Sequence, residues 1–177
     1  MTAVQDSIVV VSNAGRAYAR VVMYSPLQLV FSILMTLQFL VITLHDWLEI
    51  PGWTHGSQVQ AVAGRRRFLL ATVANAFFPG IAVAFVFLYR PESRPSFVAT
   101  YWVIYCAVTV LSAVMMWWVP YFFGASQQVK DEMEAMYSGT RQVLPARGDN
   151  PRPNLIHLYF HALFLCTLST ALLMKFR

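Results

Sequence analysis

The stretch from Ser25 to Trp47 reads "SPLQLVFSILMTLQFLVITLHDW". From Pro26 to Leu44 it carries no charged side chain. A helix needs about 20 apolar residues to cross a hydrocarbon core of about 30 Å thick. Inside lipid every backbone polar group must be paired within the segment, so an uninterrupted run of this length reads as a spanning helix. Pro26 stands at its start, where a missing N–H costs little. No small-residue cleavage site follows the run, so it reads as a retained anchor.

Composition agrees with this reading. Of 177 residues, 58% are hydrophobic and only 12% are charged, against about 25% charged in a typical soluble domain. Three further runs extend the pattern. "FLLATVANAFFPGIAVAFVFLY" covers 68–89, with Pro79 and Gly80 in its middle, where a kink is expected. The third covers about 97–119 and closes on Trp117, Trp118, Tyr121 and Phe122 as an interfacial aromatic belt. The fourth covers about 154–174 and ends on Lys175 and Arg177. The spans therefore read as about 26–45, 68–89, 97–119 and 154–174 of a single membrane domain over 1–177. The fold class this predicts is all-α, an integral membrane four-helix bundle.

Four spans put both ends of the chain on one side, here side B, together with the loop "RPESRP". Side A receives the segment from His45 to Arg67 and the segment from Tyr121 to Asn154. Within the latter, Val129, Met133, Met136 and Tyr137 recur at helical spacing, Ser126 can cap the start and Gly139 can end it. That pattern predicts a short amphipathic helix on the membrane surface between spans three and four. The segment 1–24, with Arg16 and Arg20, reads as interfacial or partly disordered. The net charge of +5 is carried at span ends, which fits lipid headgroups rather than nucleic acid. The arginines nearest the first span place the termini in the cytoplasm. Cys106 and Cys166 both fall inside apolar runs and read as buried small side chains, with no disulfide framework.

The polar residues converge at side A. Gln38, His45, Asp46 and Glu49 share a face if the first helix continues that far. His157 and His161, four apart, share a face at the start of span four. Asn75 with Thr72 marks span two, and Tyr105, Thr109 and Ser112 mark span three. Ionisable groups within a membrane normally face the bundle interior and serve function. The expectation is a polar pocket at the side-A end. His45, Asp46, His157 and His161 are its candidate catalytic residues. Gln38, Glu49, Asn75, Tyr105, Trp117, Trp118 and Tyr121 are candidate ligand-binding residues. The same positions also have a plain structural reading, as interfacial residues and interhelical hydrogen-bond glue.

Three chemistries suit such a pocket. One is acid–base work by imidazole and carboxylate. Another is a divalent metal held by His157 and His161 with His45 or Asp46. The third is non-covalent haem between facing histidines such as His45 and His161. No Walker loop, GxSxG, HExxH or dinucleotide fingerprint occurs. The function this suggests is binding, with or without turnover, of a lipophilic small molecule such as a lipid, quinone or polyisoprenoid. The alternative is a non-catalytic accessory subunit of a larger membrane complex. Expected partners are membrane lipids, with a homo-oligomer or such a complex as the assembly.

The segments "LHDW", "WWVPYFFG" and "RPNLIH" resemble those of a group of small bacterial four-span membrane proteins. That resemblance implies the topology and a bacterial inner-membrane setting. More loosely, Asp46 near the end of span one and the start of span four from Arg152 to His157 are similar to the EXPERA-type fold of sterol isomerases and the sigma-2 receptor. The acidic residue which that fold carries in span two has no match here, where Asn75 is the polar residue.

Overall fold

Ser25 sets the start of the first span. Its hydroxyl accepts from the Gln28 N–H at 3.3 Å, while the Gln28 side chain accepts from the Ser25 N–H at 2.9 Å. This reciprocal cap pairs donors that a helix start otherwise leaves orphaned. The computed structural model describes residues 25–89 and 94–176. The segment 1–24 with Arg16 and Arg20, residues 90–93 with Arg90, and Arg177 lie outside the described residues.

Helix α1 is Pro26–Leu44, followed by a 3₁₀ turn at His45–Trp47. A two-stranded hairpin comes next, β1 (Glu49–Ile50) against β2 (Thr54–His55), antiparallel with Glu49 opposite His55. Helix α2 is Gly56–Ala63, α3 is Arg65–Leu88, and α4 is Ser96–Ala113. A π turn at Val114–Trp118 joins α4 to α5 (Val119–Phe123), and α6 (Gln127–Tyr137) and α7 (Leu155–Lys175) complete the order. Four stretches are long and apolar enough to cross a membrane: Pro26–Trp47, Arg65–Leu88, Ser96–Phe123 and Leu155–Lys175. The protein is all-α, and its spans are those of a multi-pass membrane protein.

The segment from His45 to Arg67, featureless in the sequence, folds into the hairpin and α2. Gly56 makes this possible, because a Cβ there would stand 2.5 Å from the Asp46 carbonyl oxygen. The chain therefore passes directly behind Asp46. Helix α3 continues through Pro79. Proline supplies no N–H to the carbonyl four residues back. That carbonyl, on Asn75, instead accepts from Thr43 Oγ1 of α1 at 3.4 Å.

The side-B half of the bundle is closely packed. Phe31, Met35, Ala82, Val98, Trp102 and Cys106 form its centre. Trp102 donates its indole N–H to the Ala82 carbonyl at 3.0 Å, and Tyr101 donates to the Phe78 carbonyl at 2.9 Å. These two bonds tie α3 to α4 at that end. Toward side A a cavity lies between the two helices.

Candidate functional site

The π turn explains how the third span meets the fourth. Pro120 in an ordinary helix would crowd the carbonyl four residues earlier. A wider turn at Val114–Trp118 accommodates it, and such turns recur at functional sites. The consecutive Trp117 and Trp118 consequently both reach α7. The Trp117 ring lies 4.0 Å from the His157 ring, and Trp118 Nε1 lies 3.1 Å from His161 Nδ1.

The protonation of each imidazole follows from partners whose own roles are fixed. Asn154 caps α7 by accepting from the His157 backbone N–H at 3.1 Å. A backbone N–H only donates, so the atom facing it is the Asn154 carbonyl oxygen. That same oxygen is bonded to His157 Nδ1, which must therefore carry the proton. The other half of the Asn154 amide donates to Thr140 Oγ1 at 2.9 Å, and Thr140 donates to the Tyr137 carbonyl at 2.7 Å. His157 thus keeps a lone pair on Nε2. His161 has the opposite tautomer. An indole N–H only donates, so His161 Nδ1 accepts from Trp118 and its Nε2 carries the proton. Both histidines are buried. Among the described residues neither Nε2 has a hydrogen-bond partner.

His45 Nδ1 faces the carbonyls of Val41 and Ile42, each at 3.1 Å, and must donate to them. Its Nε2 lies 3.1 Å from Asp46 Oδ1. For that contact to be attractive the pair must hold one proton between them, on either the imidazole or the carboxyl.

These groups open into a cavity of about 450 Å³ whose lining includes Asp46, Arg67, Asn75, Tyr137, His157 and His161. A second cavity of about 460 Å³ lies between α3 and α4, lined by Phe78, Pro79, Ile104, Tyr105 and Val108. The two share Ile42, Asn75, Thr109 and Ser112, so they adjoin. Phe78, Ile104 and Val108 are more than half exposed on the outer face of the bundle. In a bilayer that face meets lipid. On the water side, a cleft of about 330 Å³ is lined by Lys130, Asp131, Glu134 and Asp149. Trp117, Met133 and Tyr137 line both this cleft and the first cavity and so form the wall between them. Burial, with Asp46 adding to it, holds the Tyr137 phenol well above its ordinary range, so this wall is neutral.

The expected site residues separate into groups. His45, Asp46, Asn75, Trp117, His157 and His161 come together around the first cavity. Tyr105 lines the second. Gln38 is fully buried, donates to the Tyr105 hydroxyl at 3.1 Å, and touches neither cavity. Trp118 acts through His161 rather than by lining the cavity. Tyr121 donates to the Pro145 carbonyl at 3.1 Å and anchors the loop. Glu49 is a correction. The first helix does not extend to it, and its carboxylate instead accepts from the Ser57 N–H at the start of α2. Hydrogen bonding by Ser57, its side chain first and its backbone N–H second, holds Glu49 below the usual carboxylate range. Among the described residues neither span-four histidine bonds directly to Asp46, Glu49 or Asn75. Asn154 and Trp118 take those roles.

Among the described residues no three His, Cys, Asp or Glu side chains converge as a metal site. His45 has both ring nitrogens engaged, which leaves no lone pair for a haem iron opposite His161. Asn154 and Thr140 were not anticipated. The signal for Asn154 lay in its place just before an apolar run and three residues ahead of His157, the position of a capping side chain.

Fold and site together define a four-span helical membrane protein with a histidine-lined cavity on one side. No known protein family, curated protein or solved structure matches the chain.

Proposed function

We propose that this protein binds a lipophilic small molecule, a lipid, quinone or polyisoprenoid, drawn sideways from the bilayer between α3 and α4. The observation that carries this reading is the pair of adjoining cavities, apolar on the lipid side and ending at His157, His161 and the His45–Asp46 pair. Ligand sites are commonly about 300–1,000 Å³, mostly apolar, with a few fixed polar groups. Ionisable side chains within the membrane are costly to place there and mark functional sites by default. The four groups are suited to acid–base work on the ligand's polar end, since one pair holds a proton and the two histidines offer opposite tautomers. The setting we propose is a bacterial inner membrane, with the bundle end that carries Ser25 and Lys175 in the cytoplasm.

Native mass spectrometry of protein purified in mild detergent tests the reading. A discrete adduct of lipid mass, retained at stoichiometric level and displaced by added quinone or polyisoprenoid, is expected. A bare protein mass under conditions that preserve other membrane protein–lipid complexes would refute it.

A further inference from the structure

The two unpartnered ring nitrogens specify more than apolarity. His157 Nε2 is a lone pair and needs a donor, whereas His161 Nε2 is an N–H and needs an acceptor. Both rings line one cavity, with centroids 6.4 Å apart. A hydroxyl is the smallest group that donates and accepts through a single atom. A carboxylate or phosphate supplies only acceptors and would set negative charge beside the His157 lone pair and Asp46. An ammonium supplies only donors and leaves the His161 N–H unpaired. A carbonyl likewise leaves the His157 lone pair unpaired. Burying either nitrogen without a partner costs free energy that water would otherwise supply. Among the described residues Arg67 is the one arginine or lysine along the cavity lining, and it is exposed.

We infer that the site selects lipophiles whose polar end is a neutral hydroxyl, gripped between His157 Nε2 and the His161 Nε2–H. This deepens the reading above by narrowing it to hydroxyl-bearing lipids and polyisoprenoids and setting quinones aside, and it rests on that reading. The tautomers are held from outside the cavity, by the Tyr137–Thr140–Asn154 chain on one ring and by Trp118 on the other. Selectivity is therefore built into the bundle before a ligand arrives.

The test uses four probes with one tail: hexadecanol, palmitate, hexadecylamine and hexadecane. Each competes for the full-length protein in nanodiscs against the co-purified adduct, read by native mass spectrometry. Hexadecanol should displace the adduct at about tenfold or more lower concentration than the other three, the factor that two net hydrogen bonds supply. His157→Phe and His161→Phe each remove one of the two bonds and should each cut the hexadecanol advantage to about threefold while leaving hexadecane unchanged. A merely structural histidine would shift all four probes together. Equal displacement by hexadecane and hexadecanol would overturn the inference while leaving a lipophile site. Preference for palmitate would overturn it in favour of an anion site at Arg67. Displacement by none of the four would overturn the inference and the binding reading alike.

Discussion

Asn154 serves three parts of the site at once. It caps α7, fixes the His157 tautomer and binds Thr140, all with one amide. Asn154→Ala should destabilise the protein by about 1–3 kcal/mol, the range for a lost cap with buried groups left unpaired. It should also weaken ligand retention, because His157 would no longer be held in one tautomer. Thermal unfolding in detergent alongside adduct occupancy checks both effects. Gly56 offers a contrasting case. A methyl there meets backbone, not a flexible side chain, so Gly56→Ala must push the turn carrying Asp46. A loss of about 1–3 kcal/mol is expected, the usual range for overpacking. An unchanged unfolding midpoint would show that the hairpin does not pack against Asp46 as described. The histidine pair was legible in the sequence because HxxxH on a helix shares one face. The partners that fix its protons were not, since Trp118 lies 43 residues from His161 in sequence and reaches it only through the π turn.

The elements bear out the periodic parts of the sequence and depart at its special residues. The amphipathic pattern after Ser126 is a helix, α6, with the Ser126 side chain accepting from the Val129 N–H at 3.4 Å. Met133, Met136 and Tyr137 face the first cavity, while Val129 is exposed. Amides of residues 130–137 should exchange slowly with deuterium, and fast exchange throughout would contradict an ordered helix. Lys130 also ties α6 to the following loop through Asp149 at 2.8 Å. The Lys130 hydrogen bond holds the Asp149 carboxyl below its ordinary value of 3.8. A depressed carboxyl contributes its stabilisation fully above that value and loses it as pH falls through the lower folded value. Exchange of the loop 140–150 should therefore quicken as pH drops below about 4, after correction for the intrinsic pH dependence of exchange. A loop insensitive to Lys130→Ala at neutral pH would mean that the exposed pair contributes nothing measurable, as many surface pairs do. The π turn was not legible from periodicity, because it arises from one proline acting on the turn before it.

At the scale of the whole molecule, apolar run lengths predicted the four spans, since helix length and bilayer thickness leave little freedom. The same lengths could not show that α3 and α4 are tied at Trp102 and flank a cavity from Tyr101 to Ser112, because that depends on tertiary packing. The topology is checked by single-cysteine variants at Gln58 and Gln142 in a background lacking both Cys106 and Cys166. Gln58 donates to Ser138 across the side-A surface at 3.5 Å, so both variants should label from the same side. Labelling from opposite sides would contradict the four-span arrangement.

The central claim is that the adjoining cavities hold one lipophilic ligand, and Ser112 is where to test it, because it lines both of them. Ser112→Trp places an indole at their junction and leaves His45, His157, His161 and Asp46 intact. Native mass spectrometry of the wild type and this variant, with unfolding followed in parallel, is the most direct measurement. The account predicts a stoichiometric lipophilic adduct on the wild type, its loss from Ser112→Trp, and a variant that still unfolds cooperatively. An adduct retained at full occupancy by the folded variant would contradict it.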